Sequence, residues 1–191
     1  MYRKGQEYDR LDEIVLDIYV DYGITTFPLD EKALCRMMGI SLVPYSAFEK
    51  ADVELHKKFS IYGYYSKGAN GCMPTIFYND NINDFETPAT INQTIRHEIK
   101  HFVDVDEMDM PEDDDLAEHF GRYLACPTPY LVVNNITDVN VIISMFGVSA
   151  TMAQNVSSAV INRINKFGYK LFEYEKRFVE MFNNKIRGDV N

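Results

Sequence analysis

Apolar residues recur at helical spacing near the start of the chain. They predict an amphipathic helix over residues 7–21, which Gly23 follows. The apolar face of this helix consists of Leu11, Ile14, Val15, Ile18 and Tyr19. A second helix is predicted over residues 29–38, because apolar residues again share one face and Gly39 follows as a helix stop. The apolar run 40–43 then predicts a short strand.

The middle of the chain predicts strands first and helices afterwards. Aromatic and β-branched residues cluster in 59–65 and 75–78, with glycines and a proline between them, which predicts a β-hairpin or meander. A helix is predicted over 90–103, where Thr90-Ile-Asn-Gln93 matches the capping-box pattern. The apolar face of this helix consists of Ile91, Ile95, Ile99 and Phe102. A further helix with an acidic first turn is predicted over 112–125.

Three more helices are predicted towards the end of the chain, over residues 138–146, 149–165 and 169–186. The segment Phe146-Gly147-Val148-Ser149 resembles the turn of a helix-turn-helix motif, a common DNA-binding unit. The helix after that turn carries no Lys or Arg before Arg163, whereas phosphate contacts normally need several basic residues. Direct nucleic-acid binding is therefore disfavoured, and the better interpretation is a helical subdomain that packs on the preceding domain or recognises a protein.

The composition is that of an ordinary globular protein. Of 191 residues, 46% are hydrophobic and 25% charged, and no stretch of about 18 uncharged apolar residues predicts a membrane span. The amino terminus lacks the apolar stretch of a secretory signal, so we expect a cytoplasmic protein.

The three cysteines, Cys35, Cys72 and Cys126, include no C-x-x-C pair, so we expect reduced thiols and no thiolate zinc site.

Charge is distributed unevenly along the chain. Residues 1–136 carry 24 Asp and Glu against 12 Lys and Arg, whereas residues 137–191 carry 5 against 7. An acidic body repels the phosphate backbone of nucleic acids. Any nucleic-acid contact is thus expected to lie in the carboxyl-terminal segment.

The helix predicted over 90–103 contains His97-Glu98-Ile99-Lys100-His101, an H-E-x-x-H motif. Residues four apart on a helix share a face, so both imidazoles can bind one metal ion while Glu98 reaches a metal-bound water. The two histidines lie outside the apolar stripe of the helix, so packing does not explain them. The motif therefore predicts a catalytic zinc bound by His97 and His101, with Glu98 as the general base of a hydrolase.

A catalytic zinc needs a third protein ligand and an open position for water. The candidates lie in the acidic stretch 104–115, in which eight of twelve residues are Asp or Glu and most are expected to be solvated. Asp114 and Glu118 are spaced i, i+4, so one can bind the metal while the other accepts a hydrogen bond from a ligating histidine. Gly121 is expected to let the two helices approach closely. Such a site also suits iron, although the glutamate of the motif favours hydrolysis over oxygen chemistry.

Four segments occur in the order typical of one known family: Tyr78-Asn79, the motif at 97–101, residues 114–127, and Phe146-Gly147-Val148-Ser149. On these segments the chain resembles the ImmA/IrrE metallo-endopeptidases, gluzincin-like proteases often encoded beside repressors on phages and mobile elements. The third zinc ligand of that family is the first Glu of the motif that 114–127 resembles. The resemblance implies that Asp114 is the third ligand and that Glu118 orients a histidine, or is itself the ligand.

The resemblance implies an α+β fold. A zincin-like peptidase domain over 1–130 would pack a small β-sheet on the HExxH helix, and a helix-turn-helix-like subdomain would follow over 131–191. The implied activity is cleavage of a specific intracellular protein, a helix-turn-helix transcriptional repressor, by zinc-bound water that Glu98 activates. An alternative is a non-proteolytic regulator that binds DNA or a repressor through its carboxyl-terminal subdomain and carries a structural zinc. Tyr64, Tyr65 and Tyr78 are candidate oxyanion donors, with core packing the favoured role for each.

Overall fold

The chain folds as short strands and longer helices, in an α+β arrangement. The computed structural model describes residues 4–68, 71–85, 88–104 and 111–188. Within these ranges the helices are α1 (Lys4–Asp21), α2 (Glu31–Met38), α3 (Lys50–Phe59), α4 (Ala89–Val103), α5 (Pro111–Ala125), α6 (Thr128–Val133), α7 (Val139–Phe146), α8 (Ala150–Phe167) and α9 (Lys176–Gly188). The strands are β1 (Ser41–Pro44), β2 (Gly63–Ser66) and β3 (Thr75–Tyr78). The predicted α+β class is confirmed, and part of the predicted acidic stretch, 105–110, lies outside the described residues.

The three strands form one mixed sheet in the order β1-β3-β2. β2 pairs with β3 antiparallel, with Gly63 opposite Tyr78, which confirms the predicted pairing of the two aromatic clusters. β1 pairs with β3 in parallel, with Ser41 opposite Thr75. β2 is therefore an edge strand, and its successive side chains alternate between the two faces of the sheet.

α4 packs on this sheet with its apolar stripe, in which Ile95 and Ile99 are fully buried. Gly63 lets the edge strand come close to the helix. A Cβ at this position would lie 2.8 Å from Thr94 Cγ2 and 2.7 Å from the Phe77 carbonyl oxygen. The close approach brings the backbone of β2 within reach of the polar residues of α4.

Two glycines end helices in the left-handed conformation, as predicted. Gly39 after α2 has a φ of +73° and Gly147 after α7 has a φ of +62°. Ser149 caps α8, because its Oγ accepts a hydrogen bond from a backbone N–H of the first turn. The predicted capping box at Thr90 is wrong. The ψ of Pro88, −26°, is already helical, so α4 begins at the next residue and Thr90 lies within its first turn.

The structure adds two helices to those predicted. α3 has no buried residue, and its apolar side chains Leu55 and Phe59 are exposed. Phe59, expected at the start of a strand, ends this helix, and the strand begins at Gly63. α6 has six residues, too few to show a helical repeat. The last helix begins at Lys176 and not at 169, because a 3₁₀ turn, Glu173–Glu175, precedes it.

The described residues divide into two compact units. The sheet unit, Asp30–Gly121, contains the three strands, α2 to α4 and most of α5, and the helical unit comprises Met1–Leu29 and Arg122–Asn191. In the helical unit α1 packs against α9, where the rings of Tyr19 and Phe178 meet edge-on at 5.3 Å. This division differs from the predicted boundary at residue 130. The assignment of separate functions to 1–130 and 131–191 stays a prediction.

The chain changes direction by 118° between α7 and α8, across the turn 147–149. The helices of helix-turn-helix motifs meet at about 90–120° across a turn of three or four residues. Ile142 and Phe146 of α7 and Val156 and Val160 of α8 are all buried in the core of the helical unit. Taken singly, none of the helices in the described ranges is long and apolar enough to cross a membrane.

Candidate metal centre

His97 and His101 lie side by side on α4, at the wall of a cleft in the sheet unit. Their ring centroids are 5.3 Å apart and their ring planes differ by 57°. Two imidazoles that bind one tetrahedral zinc through bonds of about 2 Å have centroids about 5 Å apart. The spacing of this pair therefore fits a shared metal ion.

α4 and α5 approach closely at Gly121, as predicted. A Cβ at Gly121 would lie 3.0 Å from Gln93 Nε2 and 3.4 Å from Arg96 Cβ. One turn earlier on α5, the Glu118 carboxylate accepts a long hydrogen bond of 3.4 Å from the same Gln93 amide. The close packing brings the carboxylates of α5 up to the first histidine of the motif.

Two carboxylates approach the two nitrogens of the His97 ring. Asp114 Oδ1 lies 3.9 Å from Nε2, and Glu118 Oε1 lies 3.9 Å from Nδ1. Both distances are too long for hydrogen bonds. A histidine that binds a metal through one ring nitrogen commonly donates the N–H of the other to a carboxylate. The structure thus brings the predicted residues together, with Asp114 beside one ring nitrogen and Glu118 beside the other.

The predicted ligands lie near one another but not at coordination distance. In the four described ranges, no three His, Cys, Asp or Glu side chains form a complete metal-binding group. Two atoms bound to a tetrahedral zinc are about 3.4 Å apart, so Asp114 has to move by about half an ångström toward Nε2. The Asp114 side chain is 83% exposed, which leaves it room for that movement. Two imidazoles and a carboxylate are ligands that zinc prefers, so the donor set fits.

Glu98 is buried beside the two histidines, with 7% of its surface exposed. Burial raises the pKa of its carboxyl to about 7; a hydrogen bond from the Tyr65 N–H opposes the rise and the charge of Asp114 adds to it. Burial also lowers the pKa of His97, which keeps that ring in the neutral form that binds metals. An acid with a pKa near 7 exchanges its proton readily at neutral pH, as a general base must.

The raised pKa of Glu98 predicts that the metal-free protein loses stability as the pH rises. The pKa of this carboxyl is 4.5 at its ordinary value and about 7 in the folded chain, so folding favours the protonated form. Protonated Glu98 adds at most about 3 kcal/mol to the free energy of unfolding. This contribution is complete below pH 4.5 and is lost as the pH rises through 7. Urea unfolding of chelator-treated Glu98→Gln should therefore show a flatter pH profile than wild type. Parallel profiles for the two proteins would contradict the burial of this carboxyl.

A buried ion pair joins α4 to α2. Arg96 Nη1 lies 2.5 Å from Glu31 Oε1, and both side chains are at most 5% exposed. Burial raises the pKa of Glu31, and the positive charge of Arg96 opposes the rise. Because Arg96 directly precedes His97, the pair fixes the part of α4 that carries the motif. Sequence reasoning missed this pair, since its partners lie 65 positions apart.

The cleft beside the motif has a volume of about 810 Å³. α4 and α5 line it with polar side chains, and the segment 59–64, which leads into β2, lines the remainder. Its lining includes both predicted histidines, the predicted base Glu98, and Asp114 and Glu118 of α5. All the predicted site residues therefore share one cavity.

The tyrosines considered as oxyanion donors are placed differently from one another. Tyr64 lines the cleft, but its hydroxyl is hydrogen-bonded to His56 Nδ1 at 2.8 Å. Tyr65 offers its backbone N–H to the base, and Tyr78 is buried. Tyr62, which sequence reasoning missed, also lines the cleft and is 54% exposed. Its position directly before an edge strand was the only signal in the sequence.

The chain matches no family model, no curated protein and no solved structure. These comparisons neither support nor reject the resemblance drawn from its motifs. The function is therefore inferred from the geometry and chemistry of the cleft.

Proposed function

We propose that this protein is a zinc-dependent endopeptidase of zincin-like fold, related to the ImmA/IrrE family. One observation carries the proposal: a buried glutamate lies in one cleft with two histidines whose spacing fits one metal ion. The packing of α4 on a small mixed sheet supports the zincin-like arrangement. The order of the motifs along the chain supports the family.

His97, His101 and Asp114 are the proposed zinc ligands. Zinc bound there would polarise the scissile carbonyl and lower the pKa of water, which is the chemistry that peptide hydrolysis needs. Glu98 accepts a proton from the attacking water at its carboxylate, which is buried beside the two histidines. The same carboxyl then delivers the proton to the leaving amine. The Tyr65 N–H holds the carboxylate in place throughout.

Glu118 is proposed to orient a ligand. Its carboxylate lies on the Nδ1 side of His97, where it can accept the N–H of a ring that binds metal through Nε2. Glu118 lies 68% exposed, so it can shift the short distance to a hydrogen bond. If Asp114 is not the third ligand, Glu118 is the alternative.

The proposed substrate is a cytoplasmic protein. The described residues that line the cleft include three carboxylates and no Lys or Arg, which disfavours nucleotides and other phosphate-bearing substrates. The resemblance to the ImmA/IrrE family adds that the substrate is a helix-turn-helix transcriptional repressor, so that cleavage releases gene expression. This part of the proposal rests on the resemblance alone.

Removal of the metal is expected to stop cleavage. Zinc-loaded protein is incubated with a proteome-derived peptide library and with purified helix-turn-helix repressors, and new amino termini are identified by mass spectrometry. We expect products from the zinc-loaded protein, their loss after chelation, and their return when zinc is added back. Product lists that are the same with and without the chelator would contradict a metal-dependent activity.

The geometry of α7 and α8 favours one alternative, a regulator that binds its target through the helical unit without cleaving it. Their angle of 118° lies within the helix-turn-helix range. α8 carries no basic residue before Arg163, so a protein target fits this surface better than DNA. The Glu98→Gln variant separates this alternative from the endopeptidase, because only cleavage needs a base at this position.

A further inference from the structure

Several large apolar side chains of the sheet unit are exposed on the segment 55–62, part of which lines the cleft. The apolar rim, as we name this group, consists of Leu55, Phe59, Ile61 and Tyr62, each more than half exposed. Phe59 and Tyr62 also line the cleft itself, and Phe59 is 75% exposed. Single exposed apolar residues are ordinary, whereas a group of them beside a cleft marks a binding surface.

The backbone that presents the apolar rim is held in place by hydrogen bonds. Asn79, which is 1% exposed, donates from Nδ2 to the Ile61 carbonyl at 2.9 Å and from its N–H to the Tyr62 carbonyl at 2.8 Å. Ser60 Oγ accepts hydrogen bonds from the N–H groups of Tyr62 and Gly63. A buried amide thus fixes a segment whose side chains face solvent. Such a segment is preorganised for a partner and loses little conformational entropy on binding.

The charge of the neighbouring lining restricts which partner fits. Asp114 and Glu118 are 83% and 68% exposed at the cleft, and Glu98 lies deeper in it. The described residues that line the cleft contribute no positive side chain to balance them. Zinc held by Asp114 and the two histidines would offset two of these negative charges, which leaves Glu118 as the exposed carboxylate that favours a basic group beside it.

We propose that the apolar rim selects the substrate, by receiving a bulky apolar side chain of an extended peptide next to the bond that is cleaved. A residue that flanks this side chain and meets Glu118 is basic or neutral. The proposal rests on the endopeptidase function and adds its substrate preference. The rim is continuous with the cleft through Phe59 and Tyr62, so one peptide can occupy both.

Binding can be measured apart from catalysis. Full-length Glu98→Gln, supplied with zinc, is used to select from a phage-displayed library of random peptides. We expect enrichment of Phe, Tyr, Leu or Met, with Lys or Arg outnumbering Asp or Glu at the flanking positions. Adding Phe59→Ser is expected to weaken binding of a selected, fluorescently labelled peptide about tenfold or more, since it removes one large apolar contact. Met37→Ser, at an exposed apolar residue of α2 that does not line the cleft, should leave the affinity unchanged.

Three results would overturn the proposal. They are no enrichment at all, enrichment of acidic or purely polar peptides, and equal affinities with and without Phe59→Ser. A dimer in sedimentation that Phe59→Ser converts to a monomer would assign the rim to a second copy of the chain instead. A different result would contradict the endopeptidase function alone. In that result the selected peptides bind through the rim, but zinc-loaded wild type does not cleave them.

Discussion

Glu98→Gln is expected to lower the rate of peptide cleavage by about a thousandfold, while the fold and the zinc content stay those of wild type. Glutamine has nearly the same shape as glutamate and can keep the hydrogen bond with the Tyr65 N–H through its side-chain oxygen. It cannot take up the proton of an attacking water. The measurement is kcat/KM on a peptide that wild type cleaves, together with elemental analysis of the same preparation.

Glu118→Gln is the matched control for that variant, because it neutralises another carboxylate of the same cleft. A residue that only orients His97 should weaken zinc binding by about 10–100-fold and leave cleavage largely intact when zinc is saturating. Comparable losses in both variants would contradict the assignment of Glu98 as the base. Cleavage by Glu98→Gln at the wild-type rate would refute Glu98 as the base, whereas the absence of cleavage by wild type and variant alike would favour the non-proteolytic regulator.

Arg96→Met is expected to lower the free energy of unfolding by about 3–5 kcal/mol, the largest stability effect we predict. The substitution leaves the Glu31 carboxylate buried without its partner, 2.5 Å from where the guanidinium was. Urea unfolding at neutral pH measures the loss. Below pH 4.5 the loss should be smaller, because the Glu31 carboxyl is then protonated in both the folded and the unfolded chain.

Two further variants show whether this loss comes from the buried charge. Replacing both partners, as Glu31→Leu with Arg96→Met, should recover much of the stability, because no charge is then left without a partner. Lys176→Met removes the cation of an exposed ion pair with Glu173 and should change stability by less than about 1 kcal/mol. A loss in Arg96→Met no larger than in Lys176→Met would show that the α2–α4 pair does not fix the helix.

Local patterns account for the parts of the fold that were predicted from the sequence. The apolar stripe of α4 and the helix-ending glycines Gly39 and Gly147 depend on residues within one or two turns of each other. α3 escaped prediction because few of its ten residues are apolar and its last one, Phe59, was assigned to the aromatic cluster of the following strand. The parallel pairing of β1 with β3 joins segments more than thirty positions apart, and no local pattern encodes it.

The candidate site also combines residues that local patterns predict with contacts that they do not predict. The H-E-x-x-H motif is local, so both histidines and Glu98 could be named from sequence. The pKa of Glu98 depends on burial beside β2 and on the Tyr65 N–H, which are tertiary contacts. The apolar rim likewise depends on a hydrogen bond from Asn79 across eighteen positions to Ile61. Long-range contacts of this kind leave no periodic signal in the chain.

Zinc content tests the central claim most directly. Wild type, His101→Ala, Asp114→Ala, Glu118→Ala and, as a control on the same helix α5, His119→Ala are supplied with zinc, dialysed and examined by elemental analysis. We predict about one zinc ion per chain in wild type and His119→Ala, its loss in His101→Ala and Asp114→Ala, and its retention in Glu118→Ala. Wild type that retains no zinc, or equal zinc in all five proteins, would contradict a metal centre at this motif.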